Sequence, residues 1–245
     1  MTNGKRSKYP EKSPSEYLLE EEELSSNSET RVPIIICVDC SFSMRQNGRL
    51  KKVLEGLEGF RRDMAADLIA CQAVEICLIS YGGKEAIVER DFTPPDRLKI
   101  PDLIADGETP LADAVMTALE NLKQRKIRYD DNGNSYYRPW LILVGDGDES
   151  GASRDLDRAA AILKEESDAK HLSVLCVTVG DEDKIEYSSL MKLAPDGKVQ
   201  YLRDLKFGEF FSWLSRSIQK TSQSMSGEEV YFAPTTSWGE VLERK

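Results

Sequence analysis

Asp39, Ser41 and Ser43 stand on alternate residues of Asp39-Cys40-Ser41-Phe42-Ser43, so one carboxylate and two hydroxyls meet within a short stretch of chain. All three are hard oxygen donors, a chemistry that suits magnesium, calcium or manganese better than zinc. The motif follows Val32-Pro33-Ile34-Ile35-Ile36-Cys37-Val38, an apolar, β-branched run that reads as a strand covered on both faces. A buried strand thus runs out into polar ligands, and the pattern predicts a divalent-cation site completed from distant loops. A second apolar run, Pro139 to Val144, ends in Gly145-Asp146-Gly147-Asp148-Glu149 and repeats the arrangement. Asp148 and Glu149 there read either as extra acid near the cation or as a solvated loop.

The elements that must hold these residues follow from periodicity. Leu50, Val53, Leu54, Leu57, Phe60, Met64 and Leu68 recur at helical steps and predict a long amphipathic helix. Val74 to Tyr81 predicts a second strand. Gly82-Gly83 turns it into a third, Ala86 to Phe92, expected to be antiparallel and at the edge. Helical spacing restarts at Leu111, with Thr109 as its cap and Pro110 at its first position. Gln124 to Tyr137 reads as a surface insertion around Asn132-Gly133. After the fourth strand, Ser153 is expected to cap the next helix. Leu172 to Val179 predicts a fifth strand, Ile185 to Leu193 a short helix, Val199 to Leu202 a sixth strand and Phe207 to Ile218 a closing helix.

Alternating strands and helices with one hairpin predict an α/β fold. It would be a doubly wound, mostly parallel six-stranded sheet with one antiparallel edge strand and helices on both faces. Right-handed crossovers would then put Asp39 and Asp146 on the same rim, where such sheets bind ligands. Residues 31–220 would form this domain. Residues 1–30, rich in Ser, Glu, Lys and Pro around Glu20-Glu21-Glu22-Glu23, read as a disordered acidic tail, although Leu18 and Leu19 could support a short docking helix. That acidic run could also enter the rim of a neighbouring molecule as a mock ligand. Residues 221–245 take no assignable fold.

Composition narrows the partners. The net charge of −10 disfavours nucleic acid and anionic membranes. No apolar run is long enough to span a bilayer, and Met1 to Lys12 lacks the apolar core of a signal peptide, so a cytoplasmic location is expected. Cys37-Val38-Asp39-Cys40 matches C-x-x-C, but it has no second pair and His171 is the sole histidine. Core packing is the better reading of these thiols.

Asp39-x-Ser41-x-Ser43, Thr109 and Asp146, in this order and on these elements, resemble the von Willebrand factor A (vWA) domain with its metal-ion-dependent adhesion site (MIDAS). The likeness spans about Arg31 to Gln219. Within the family, Gly107-Glu108-Thr109-Pro110-Leu111, Ser135-Tyr136-Tyr137-Arg138-Pro139-Trp140 and Phe210-Phe211-x-Trp213-Leu214-Ser215 look like the bacterial, cytoplasmic TerY-like branch associated with tellurium-resistance and stress gene sets. The resemblance implies Ser41 and Ser43 as direct ligands of a Mg2+ (or Mn2+ or Ca2+) ion. Thr109 would be a direct or water-bridged ligand, and Asp39 and Asp146 carboxylates at or just behind the metal. It also implies a protein partner that offers an Asp or Glu to the ion, with a protein kinase or phosphatase of the same gene set as candidates. Gly145-Asp146-Gly147 departs from the usual Thr-Asp-Gly and removes a supporting hydroxyl.

An enzyme reading competes with this one, because aspartyl-phosphate phosphotransferases also begin with an Asp after a buried strand and use magnesium. They need a second acid two residues on, where Ser41 stands. No P-loop or G-x-S-x-G elbow is present, and His171 reads as structural or exposed rather than catalytic. The expectation is a non-catalytic, metal-dependent protein-binding module. A phosphohydrolase or phosphotransferase, or a structural adaptor with a vestigial metal site, stand as alternatives.

Overall fold

The computed structural model describes residues 7–146, 149–179, 187–222 and 239–243. The elements are α1 (Pro14–Ser26), β1 (Val32–Asp39), α2 (Arg49–Ala66), α3 (Leu68–Ala73), β2 (Val74–Gly82), β3 (Glu85–Thr93), α4 (Leu111–Asn132), β4 (Trp140–Gly145), α5 (Ser153–Asp168), β5 (Ser173–Thr178), α6 (Ser188–Leu193), β6 (Lys198–Leu202), α7 (Phe207–Ser222) and β7 (Gly239–Glu243).

All eight residues of β1 are buried, because its two faces meet two separate cores. Val32, Ile34, Ile36 and Val38 join Leu57 and Phe60 of α2 and Phe210, Phe211 and Leu214 of α7. Ile35 and Cys37 point the other way, toward Leu111, Val115 and Ala118 of α4 and Leu156 and Leu163 of α5. The period-two alternation of a strand thus sorts one apolar run into two layers. Helices α2 and α7 approach closely at Gly56, where an added Cβ would lie 2.5 Å from the Phe211 ring.

The sheet order is β3-β2-β1-β4-β5-β6-β7. β1, β2, β4, β5 and β6 are parallel, while β3 and β7 pair antiparallel at the two edges. The expected doubly wound α/β sheet is therefore present with one more strand, since Gly239–Glu243 of the unassigned C-terminal segment pairs with β6. From β1 the chain moves outward to β2 and β3, then returns through α4 to β4 on the other side of β1. The reversal opens a crevice between the carboxyl ends of β1 and β4.

Three local readings change. Pro14–Ser26 is a helix, not a disordered tail. Ser13 and Glu16 form a reciprocal capping box with Pro14 in the first turn. The acidic run faces arginines of its own chain: Glu20 pairs with Arg125 and Arg128, Glu21 with Arg128, and Glu23 with Arg97. Leu24 is buried beneath it, a contribution of about 1.5–3 kcal/mol. The mock-ligand role for this run has no support, as these carboxylates are engaged at the opposite end of the sheet from Asp39.

Residues 124–132 are not a surface insertion either. They continue α4, which stops only at Gly133 in the left-handed conformation (φ 70°). Arg125 of this stretch is buried on Glu75, with Nε to Oε2 at 2.9 Å. Finally, neither predicted helix cap forms as expected. Pro110 has ψ 63°, so α4 starts one residue later without a Thr109 side-chain cap, and Ser153 is the first residue of α5 after Ala152.

Candidate metal centre

Four of the five candidate residues form one hydrogen-bonded chain in the crevice. Asp39, the last residue of β1, is fully buried, and its Oδ1 accepts the Ser41 N–H at 2.7 Å. The Ser41 and Ser43 hydroxyls lie 2.9 Å apart, and Ser43 Oγ donates to Asp146 Oδ1 at 2.5 Å. The Asp146 N–H is directed at Asp39 Oδ2 across 3.4 Å, linking the ends of β1 and β4. Short 3₁₀-type turns over Phe42–Gly48 present Ser43 half-exposed and Phe42 at 59% exposure beside it. Burial pushes the Asp39 carboxyl up to about 7 against the hydrogen bonds from Ser41, and the Asp146 charge adds to the rise. Two crowded acids with their hydroxyl neighbours make an environment that a divalent cation would relieve.

Thr109 is buried nearby but joins the cluster through its loop rather than its hydroxyl. Asp106 N–H donates to Cys40 O at 2.7 Å, and Phe42 N–H donates to Gly107 O at 3.1 Å. Gly107 has φ 75°, and an added Cβ would sit 2.4 Å from Gly83 Cα, so the 105–109 loop can lie against the β2–β3 hairpin only with glycine there. Thr109 N–H in turn donates to Ser150 Oγ at 2.8 Å, which ties this loop to the segment after β4.

The acids after Asp146 divide. Glu149 does not face the cluster: its Oε2 accepts the Ala112 N–H at 2.5 Å and so caps the first turn of α4. Asp148 lies outside the described residues. Cys37, Cys40, Cys77 and Cys176 are buried free thiols, and burial pushes each thiol up, as core packing requires. His171 is exposed, with its Nδ1 3.7 Å from Glu166 Oε2. Among the described residues no group of three His, Cys, Asp or Glu side chains is placed to hold a metal, and the polar cluster in the crevice is a mixed hydroxyl and carboxylate one. No helix among them is long and apolar enough to cross a membrane.

Sequence reasoning missed two residues here. Tyr81, the penultimate residue of β2, lies beside Asp39 in register, and its buried hydroxyl donates to Val144 O at 2.9 Å. A Cβ on Gly145 would lie 2.5 Å from that hydroxyl, so the Tyr81 side chain from β2 fills the space that a residue larger than glycine would need at position 145. The other is Arg49, at the start of α2, whose Nη1 donates to Asp146 Oδ2 at 2.5 Å. In sequence it is one cation among Arg45, Arg49, Lys51 and Lys52, with nothing to mark it as buried.

The sequence matches no family model and no curated protein. Solved structures share the fold. The pilus adhesin SpaC from Lactobacillus rhamnosus GG superposes with a TM-score of 0.61 at 14% identity, covering 80% of this chain and 32% of the adhesin. Proximal thread matrix protein 1 from the mussel byssus gives 0.57 at 14% identity, covering 79% and 49%. A second structure of the mussel protein, with a zinc-occupied MIDAS motif, gives 0.50 at 13% identity, covering 80% and 46%. The SpRpn10 VWA domain gives 0.50 at 16% identity, covering 69% and 82%. The chain thus spans about half the length of the mussel protein and about a third of the adhesin. With its switch-point crevice between β1 and β4, the chain has the α/β fold of a von Willebrand factor A domain.

Proposed function

We propose that this protein is a non-catalytic, divalent-cation-dependent protein-binding module. Ser41, Ser43 and Asp146 would hold the ion directly, with Asp39 beneath them and Thr109 on the adjoining loop. The observation that carries the proposal is the side-chain chain Ser41–Ser43–Asp146 over buried Asp39, at the one crevice of the sheet where strand order reverses. Hydroxyl-rich ligand sets leave a bound ion electrophilic toward one more anionic oxygen, the chemistry by which it would receive a partner's Asp or Glu. Exposed Phe42, with the Arg45 guanidinium 4.9 Å from its ring centroid, supplies an apolar and cationic border for such a contact.

Full burial of Asp39 supports a holding role over a nucleophilic one, because a phosphoryl acceptor has to be reached by its donor. Oxygen donors favour Mg2+, with Mn2+ or Ca2+ next. The zinc in the mussel protein's MIDAS motif makes Zn2+ a necessary comparison. The TerY-like sequence features extend the proposal to a cytoplasmic partner in a bacterial stress-response or tellurium-resistance-type system, with a protein kinase or phosphatase as candidates.

Calorimetric titration of Mg2+, Mn2+ and Zn2+ into the wild type and Asp39→Ala tests the site. Binding by the wild type and its loss in the variant are expected, and a wild type that binds none of the three refutes the proposal.

A further inference from the structure

Arg49 occupies a position that local helix chemistry disfavours. It opens α2, whose N-cap is Gly48 (φ 67°) with no side-chain cap and no acidic residue in the first turn. A cation there meets the positive end of the helix dipole, where an anion would be stabilised. It is also only 5% exposed, yet it is not displaced to solvent. The left-handed pair Asn47 (φ 51°) and Gly48 turns the chain back under the β4 end, which brings Nη1 to 2.5 Å from Asp146 Oδ2. Asp146 offsets both costs: its carboxylate faces the guanidinium and supplies the missing anion at the start of α2. A locally unfavourable residue held by a buried partner is characteristic of a functional constraint.

That partner is also a candidate metal ligand. Asp146 gives Oδ1 to Ser43 and Oδ2 to Arg49, so both its oxygens are engaged within the protein. We infer that Arg49 is a built-in counter-cation that competes with the divalent ion for Asp146 and so lowers the cation affinity of the site. Among the described residues, Asp39 and Asp146 with both carboxylates ionised and the Arg49 guanidinium carry a net −1, and adding a divalent ion gives +1. A neutral side chain at position 49 would lower that charge by one. Arg49 therefore weakens the hold on the ion and at the same time leaves the loaded site an excess positive charge for a partner's carboxylate.

The inference rests on the metal-dependent reading above, and one experiment separates them. Mn2+ is titrated calorimetrically into wild type, R49Q and R49K, with the melting temperature of each recorded in EDTA and in saturating Mn2+. R49Q is expected to bind Mn2+ at least tenfold more tightly than wild type, R49K within about threefold of it, and the Mn2+-induced rise in melting temperature is expected to be largest for R49Q. A merely structural role would lower the EDTA and Mn2+ melting points together and leave the affinity unchanged, which overturns this inference alone. Absence of binding to wild type and both variants overturns the metal-dependent reading with it. Should R49Q not fold, the wild-type Arg49 Nε–H resonance supplies the answer: it is expected to shift on Mg2+ saturation, and an unmoved resonance overturns the inference.

Discussion

Gly145 is the position where a single methyl group should be felt most. Its ideal Cβ would lie 2.5 Å from the Tyr81 hydroxyl, 2.9 Å from Asp39 Oδ2 and 3.3 Å from Asp39 Cβ. None of these atoms is at the free end of a mobile chain, because Tyr81 is 1% exposed and donates to Val144 O, while Asp39 is held by the Ser41 N–H. Overpacking of this kind costs about 1–3 kcal/mol. Gly→Ala also narrows the unfolded ensemble, which offsets about 0.4–1 kcal/mol. Gly145→Ala should therefore lose about 1–2 kcal/mol. Tyr81→Phe removes one neutral hydrogen bond and should lose about 0.5–1.5 kcal/mol, toward the lower end because a carbonyl has a second lone pair. Combined, the two changes should cost less than their sum by about 1 kcal/mol, since the clash and the hydroxyl are the same atom. Relief is incomplete because Asp39 Oδ2 remains.

The assay is urea denaturation in EDTA, reading the midpoint at constant slope. Gly145→Thr carries the test further. With Tyr81 intact it should be worse than Gly145→Ala, whereas Gly145→Thr/Tyr81→Phe transfers the hydroxyl from β2 to β4 and should recover more than the alanine pair does. A Gly145→Ala protein as stable as wild type, or a double variant equal to the sum of the singles within about 0.3–0.5 kcal/mol, refutes the steric reasoning.

Two further outcomes follow from the same geometry. Glu149→Ala should destabilise the fold by about 1 kcal/mol through loss of the α4 cap while leaving Mg2+ affinity unchanged, and a drop in affinity would place Glu149 among the metal's acids after all. Docking of α1 should weaken in acid and in salt. Its hydrogen bonds to Arg128 and Asn132 hold the Glu21 carboxyl below its ordinary value, so the stability it contributes is present above about pH 4.3 and is lost as pH falls through the lower folded-state value. Hydrogen-exchange protection of the α1 amides, corrected for intrinsic rates, should fall below about pH 4 and in 1 M NaCl while that of β1 persists. Unchanged protection in α1 would mean that Leu24 and the Asn134 bonds to Leu24 O and Asn27 O hold the helix without the charges.

What could be read from sequence, and what could not, divides by how far away the deciding partner lies. Asp39, Ser41 and Ser43 are legible because their convergence is set by one strand end and one turn, and the parallel strand order implied by the alternating elements brings Asp146 to the same rim. For α1 the local signal was present: Ser13-Pro14-Ser15-Glu16 spells a capping box with proline in the first turn. Composition outweighed it, since an acidic run has no evident place to dock until Arg125 and Arg128 arrive from α4. In sequence Arg125 itself reads as part of a surface insertion, because the Glu75 that buries it lies on β2. Glu75 did carry a warning as a charge inside an otherwise apolar strand. A lone buried carboxylate costs several kcal/mol, so a strand that contains one implies a cation elsewhere in the chain without naming it. The same logic applies at the crevice. Two carboxylates brought to one rim demand positive charge, and sequence supplied a divalent ion as the answer because ligand motifs are local. Only the fold shows that Arg49 reaches one of them, and this makes the affinity of the site, unlike its location, a tertiary property.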